Sequence, residues 1–251
     1  MKTRAIFLLC MIFSFIAIGQ DQKGLSGATI TPPKFTGFPG AIPIFVEQKF
    51  KSIDEYMAMH VKYPDYAVTH YISGTEVIGF SVSPQGEVVN IKVINSLSSA
   101  VDDEVISVLK TTSGMWKPGY INDEAIAMDK EISVVFKFQE QSLKEFKERA
   151  KTYYSRACEN LLMKQNPKQA LKYFDKGMKL LPKDKSLLAL RGLTRYELGD
   201  KDGALSDWTR IKNLGGGEGD AYIEQFITMR GYQDILISMK GYEVMSEFLS
   251  Q

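Results

Sequence analysis

The strongest constraint on this chain is a repeat in its second half. Ala170 and Ala204, Phe174 and Trp208, Cys158 and Gly192, and Leu180 and Leu214 are each 34 residues apart. A period of that length marks one supersecondary unit copied in tandem, too small to bury its apolar face alone and completed by stacking on a neighbour. Local signals place the helices: Ser142-x-x-Glu145 is a capping box, Asn166-Pro167 opens a second helix and Gly199 closes a third. Residues 142–251 therefore read as all-α, with 220–248 supplying one or two capping helices. Gly215-Gly216-Gly217 reads as a helix stop, because a phosphate loop needs a preceding strand and a lysine.

Upstream the period changes. Phe50, Ile53, Tyr56, Met57 and Val61 recur at helical spacing until Pro64 excludes its predecessor from the helical region. Residues 75–83 and 88–94 flank Pro84-Gln85-Gly86 and read as a hairpin. Val77, Phe80 and Val82 depart from strict alternation, which points to a bulge or a change of face at Gly79. A helix follows from Ala100, with Val101, Val105, Val108 and Leu109 on one stripe. Asp102, Asp103 and Glu104 crowd its first turn, where the macrodipole favours carboxylates without any metal. Residues 131–138 form a third strand, with Ile132, Val134, Phe136 and Phe138 on the covered face and Glu131, Ser133 and Lys137 opposite. Residues 46–139 thus read as a small α+β domain.

The amino terminus carries an address. Lys2 and Arg4 precede an apolar run over 5–18 that ends at Ala17-Ile18-Gly19, the pattern of a secretory signal over residues 1–19. A retained anchor is the alternative. Residues 20–45, rich in Gly, Pro, Thr and Ser, read as an extended linker that reaches at most ~85 Å. Lys+Arg at 31 against Asp+Glu at 30 gives a net charge of +1, so bulk charge draws the chain to neither nucleic acid nor an anionic membrane. With only two cysteines and two histidines, neither a zinc cluster nor a disulfide framework is expected. His60 and His70 are too far apart for a one-turn metal pair, and no nucleophile motif adjoins either. No catalytic residue, metal or cofactor is expected.

The first domain resembles a known family. Tyr63-Pro64-x-x-Ala67, Gly74 with Phe80 and Val82, Gly86-x-Val88, Asp103-x-x-Ile106, Trp116-x-Pro118-Gly119 and the closing Val135-Phe136-Lys137-Phe138 follow the order and spacing of the C-terminal domain of TonB-type proteins. The resemblance implies a periplasmic helix–hairpin–helix–strand unit. It also implies that an extended peptide, such as the box segment of an outer-membrane transporter, pairs beside the last strand by β-augmentation. Carried over, the peptide-binding positions are Tyr63, Pro64, Ile132, Val134, Val135, Phe136 and Phe138. A second copy of the domain is an alternative partner for the same strand. Energy-transducing members have Gln-Pro just ahead of the Tyr-Pro, where this chain has His60 and Val61, and no histidine occurs in residues 1–59.

The 34-residue period, with small residues at helix crossings and an aromatic four after each Ala, resembles the tetratricopeptide repeat over residues 150–216. That likeness implies a solenoid whose groove is lined by Ser155, Glu159, Leu162, Ala189, Leu193 and Tyr196. Cys158 then takes a helix-packing position. The combined expectation is a non-enzymatic, periplasmic binding adaptor that joins two protein partners. The alternative is an inner-membrane-anchored energy transducer for outer-membrane transport.

Overall fold

The computed structural model describes residues 5–8, 29–38, 50–214 and 240–250. The chain divides into two compact units, Met1–Glu140 and Gln141–Gln251. All of the signal-like run but residues 5–8, part of the 20–45 stretch and most of 220–248 lie outside the described residues, as do Gly215, Gly216 and Gly217.

The first unit begins with three short strands, β1 (Ala5–Leu8), β2 (Ile30–Thr31) and β3 (Lys34–Phe35). Helix α1 (Ile53–His60) starts at Ser52, whose side chain accepts the Glu55 N–H, and stops where Val61 turns extended ahead of Pro64. Helix α2 (Asp65–Thr69) is short. Strands β4 (Gly74–Val82) and β5 (Val88–Asn95) form the expected hairpin. Its turn closes when Gly86 donates to the Ser83 carbonyl. Gly86 has φ +79°, and a Cβ there would stand 2.2 Å from the Trp116 carbonyl oxygen, so the turn accepts only glycine. Helix α3 (Ser99–Lys110) is capped by Ser98. Of the acidic triplet only Asp102 falls in the first turn, because the helix starts at Ser99. Asp102 accepts from the Ser96 hydroxyl, and Glu104 accepts the Lys62 N–H at 2.7 Å.

Next come β6 (Trp116–Lys117), β7 (Gly119–Ile121), β8 (Glu124–Ile126) and β9 (Met128–Phe138). The main sheet is antiparallel in the order β1-β9-β4-β5. Ile78, Phe80 and Val82 of β4 and Ile132, Val134 and Phe136 of β9 share one face and pack on Met57, Val101, Val105, Leu109 and Trp116. Each such side chain, fully buried, contributes ~1.5–3 kcal/mol. Val77 falls on the other face, which accounts for the imperfect alternation; register shifts at 77/78 and 79/81 supply the bulges. That second face is buried too at Val77, Ser133 and Val135, so the sheet does not divide into an apolar side and a wet one.

Two features depart from the sequence reading. The Asn122-Asp123 turn, with both residues at positive φ, makes a two-residue hairpin of β7 and β8 that was not anticipated. The stretch read as a free linker is also paired in part. Ile30 and Thr31 lie opposite Ile121 and Tyr120, and Lys34 and Phe35 lie opposite Lys117 and Trp116. The Phe35 ring is buried edge-on against Trp116, 5.2 Å between centroids, and Lys130 donates to the Pro33 carbonyl. A segment without apolar periodicity docks here because its backbone satisfies the outer edge of β6 and β7, and one aromatic side chain fixes its register.

The second unit is helical: α4 (Leu143–Cys158), α5 (Pro167–Leu180), α6 (Lys185–Glu197), α7 (Lys201–Asn213) and α8 (Lys240–Ser250). Side chains of Ser142, Asn166, Asp184 and Asp200 each accept a backbone N–H at the third helical residue, so every helix start from α4 to α7 is capped. Helix α4 runs on into a π-helical turn over Glu159–Met163. The 34-residue correspondence survives in the packing. Ala170 and Ala204 are both fully buried, as are Phe174 and Trp208, and all four belong to one core. An ion network centred on the buried Asp207 joins three helices: Arg191 of α6 pairs with Asp207 of α7 and with the more exposed Asp175 of α5, and Arg195 also reaches Asp207.

Candidate peptide-pairing edge

Strand β9 is the longest in the sheet, and its eleven residues contain no proline. Along one side it is paired with β4 from Met128 to Phe136. In antiparallel strands successive residues direct their backbone groups to alternate sides, so half of the N–H and C=O groups of β9 face away from β4. The opposite margin of the sheet, β5, is bulged, and its Asn90 takes φ +52°. Bulges of this kind twist an edge away from further pairing. No such irregularity interrupts the β4–β9 register.

The edge expected to lie open is in fact engaged over part of its length. Strand β1 pairs with it antiparallel, Ala5 opposite Phe138, Ile6 opposite Lys137, Phe7 opposite Phe136 and Leu8 opposite Val135. The segment comes from the signal-like run. An unsatisfied row of backbone donors and acceptors recruits an extended apolar segment of its own chain as readily as a foreign one.

The sequence-selected residues fall into two groups around this edge. Val135 lies in the margin itself, on the sheet face opposite Ile132, Val134 and Phe136, which pack into the core, and Phe138, which meets Tyr63 and Tyr71. Tyr63 is half-buried, its ring edge-on to Phe136 at 5.2 Å and stacked on Phe138 at 5.3 Å. Its hydroxyl donates to the Ile72 carbonyl oxygen, and burial pushes it above the ordinary tyrosine range. Pro64 is the N-cap of α2. The Tyr-Pro element therefore braces the end of β9 rather than standing free in solvent.

Sequence reasoning missed Tyr71. It is 81% exposed, its ring tilts against Phe138 at 5.8 Å, and its backbone is left-handed at φ +52°. Nearby Tyr66 is 53% exposed and stacks on His70 at 4.1 Å. The available signal was the run Tyr63, Tyr66, His70, Tyr71 around one short helix, which has more aromatic surface than so short an element can bury.

The groove assigned to the helical unit does not assemble as expected. Ser155 and Glu159 are exposed, Glu159 pairing with Lys164 at 2.7 Å, and Leu162 is half-buried. Ala189 and Leu193 are core residues. Tyr196 stacks on Trp208, and a Cβ on Gly241 of α8 would stand 2.9 Å from its ring. The correction has a simple cause. Helix α8 packs on α6 and α7, with Phe248 against Trp208 and Gly241 against Tyr196, so the Tyr196 end of the expected groove is covered. Cys158 is half-buried against the same core, in keeping with a packing role.

Among the described residues, no group of three or more His, Cys, Asp or Glu side chains could hold a metal ion, and no helix is long and apolar enough to cross a membrane. A family model described as the Gram-negative bacterial TonB protein C-terminal domain matches residues 59–138, a span that runs from the end of α1 to the last residue of β9. No curated protein and no solved structure matches the chain.

Proposed function

We propose that the protein is a non-enzymatic binding adaptor of the bacterial cell envelope, working in the periplasm, whose TonB-type unit captures extended peptides along β9. The observation that carries this reading is the pairing of β1 with residues 135–138, since an edge that takes a strand of its own chain has the geometry to take one from a partner. The TonB C-terminal match over residues 59–138 supports it by ending at Phe138, where that edge ends. Backbone hydrogen bonds supply affinity, and the side chains flanking the strand supply selectivity. The transporter box peptides implied by the TonB resemblance are the first candidates as ligands.

The helical unit is the second docking surface. Its repeat packing, with Ala170 and Ala204 at equivalent crossings, favours a tetratricopeptide-like scaffold. Among the described residues, the side of α4 and the π turn around Ser155, Glu159 and Met163 is exposed and offers a partner a surface.

An NMR titration with labelled peptides from outer-membrane transporters tests the reading. Shifts along residues 131–138 are the expected result; shifts confined to residues 142–251 would overturn edge pairing. Amino-terminal sequencing of protein recovered from the envelope tests the address. A new terminus near Gln20 removes β1 and opens the edge, whereas an intact Met1 favours the anchored energy transducer.

A further inference from the structure

Two helices of this chain end in the same hydrogen-bonded motif with different residues at its critical position. After α6, Gly199 donates to the Tyr196 carbonyl and Asp200 to the Arg195 carbonyl, with Gly199 left-handed at φ +87°. After α2, Tyr71 donates to the Val68 carbonyl and Ile72 to the Ala67 carbonyl, with Tyr71 at φ +52°. This is the Schellman arrangement, whose left-handed residue is usually glycine because any Cβ is disfavoured there. A tyrosine at that position strains the backbone, and at 81% exposure it gains little from burial in return.

The position of the ring suggests what it is for. Tyr71 leans on Phe138, the residue at which β1 begins its pairing with β9. Residues directly opposite one another in an antiparallel pair project to the same face. A strand that pairs with β9 in the observed register therefore sends the side chain opposite Phe138 toward the face that carries Tyr63 and Tyr71. In the observed register that position is Ala5, the smallest apolar side chain.

We propose that Tyr71 is a specificity-determining contact for the strand paired with β9, selecting a bulky apolar or aromatic side chain at the ligand position opposite Phe138. The proposal rests on the edge-pairing reading and adds the class of residue that the bound segment carries.

The test uses the full chain carrying Ile6→Pro and Phe7→Pro, which removes β1 from the edge, and two synthetic peptides. One has the sequence of residues 2–9; the other has phenylalanine in place of its alanine. The phenylalanine peptide is expected to bind about 3–10-fold more tightly. That advantage should vanish in Tyr71→Gly and persist in Tyr71→Phe, while the melting temperature of Tyr71→Gly holds or rises. If both peptides shift residues 131–138 but the advantage survives Tyr71→Gly, the edge reading stands and the role of Tyr71 is overturned. A lower melting temperature with unchanged selectivity also overturns it, by assigning Tyr71 to packing. If neither peptide shifts 131–138, the edge reading fails and this proposal with it.

Discussion

Gly192 of α6 and Trp208 of α7 fit only because one of them has no side chain: a Cβ on residue 192 would stand 2.3 Å from the indole nitrogen. The same 34-residue offset places Cys158 in the first copy, 34 residues before Gly192. Gly192→Ala should overpack the crossing and cost ~1–3 kcal/mol, read as a lower urea midpoint at unchanged slope. Ala204→Leu, at a fully buried crossing on α7, should do the same. An unchanged midpoint for both would mean that these helices do not approach as described.

Phe35→Ala tests whether the amino-terminal segment belongs to the first domain. A free linker would lose nothing. The docked segment should lose ~3–5 kcal/mol of packing with Phe35. Amide protection at residues 29–36 should fall together with that of 116–121, because the two stretches share their hydrogen bonds.

Asp175 and Asp207 both pair with Arg191, but their surroundings differ. The Asp207 side chain is 3% exposed and also accepts from Arg195, whereas that of Asp175 is 46% exposed. Asp207→Ala would leave two guanidinium groups without their shared buried partner, and a loss of ~3–5 kcal/mol is expected. Asp175→Ala should cost at most ~1 kcal/mol. Chemical denaturation of the pair of variants separates the two outcomes; equal losses would contradict the burial difference.

Lys130 gives the alkaline limb of the stability profile a sign. Burial lowers its pKa from the ordinary 10.5, partly opposed by the charge of Asp54. The native state therefore releases this proton before the unfolded state does. Below the folded pKa the buried charge costs stability in full, and stability rises with pH from that value up to about 10.5. Lys130→Met should flatten this rise in a series of melts between neutral pH and pH 10.5. A rise of undiminished slope in the variant would assign it to other groups.

Much of the fold is legible in the sequence. Capping at Ser142 and Asn166, the Gly86 turn, the covered face of Ile132, Val134 and Phe136, and the equivalence of Phe174 and Trp208 are all local or periodic facts, fixed by backbone sterics and side-chain spacing within a few turns or strands. The β7–β8 hairpin was less visible because its strands are only three residues long, too short for an alternation to register. Its one cue was Asn122-Asp123.

The candidate site divides along the same line. Sequence alone determined which strand is long, free of proline and last in its domain, and hence where an edge would stand, because alternation and turn chemistry are written residue by residue. Tertiary structure decided what borders that edge. Tyr63 folds inward onto Phe136 and Phe138, and Tyr71 is held left-handed beside Phe138. The segment 29–36 zips onto β6 and β7, and α8 packs over Tyr196 at one end of the groove expected on α6. Each of these depends on contacts between residues far apart in the chain, where no period records the partner. Unsatisfied backbone edges and uncovered apolar faces are met by whatever segment the completed fold brings within reach.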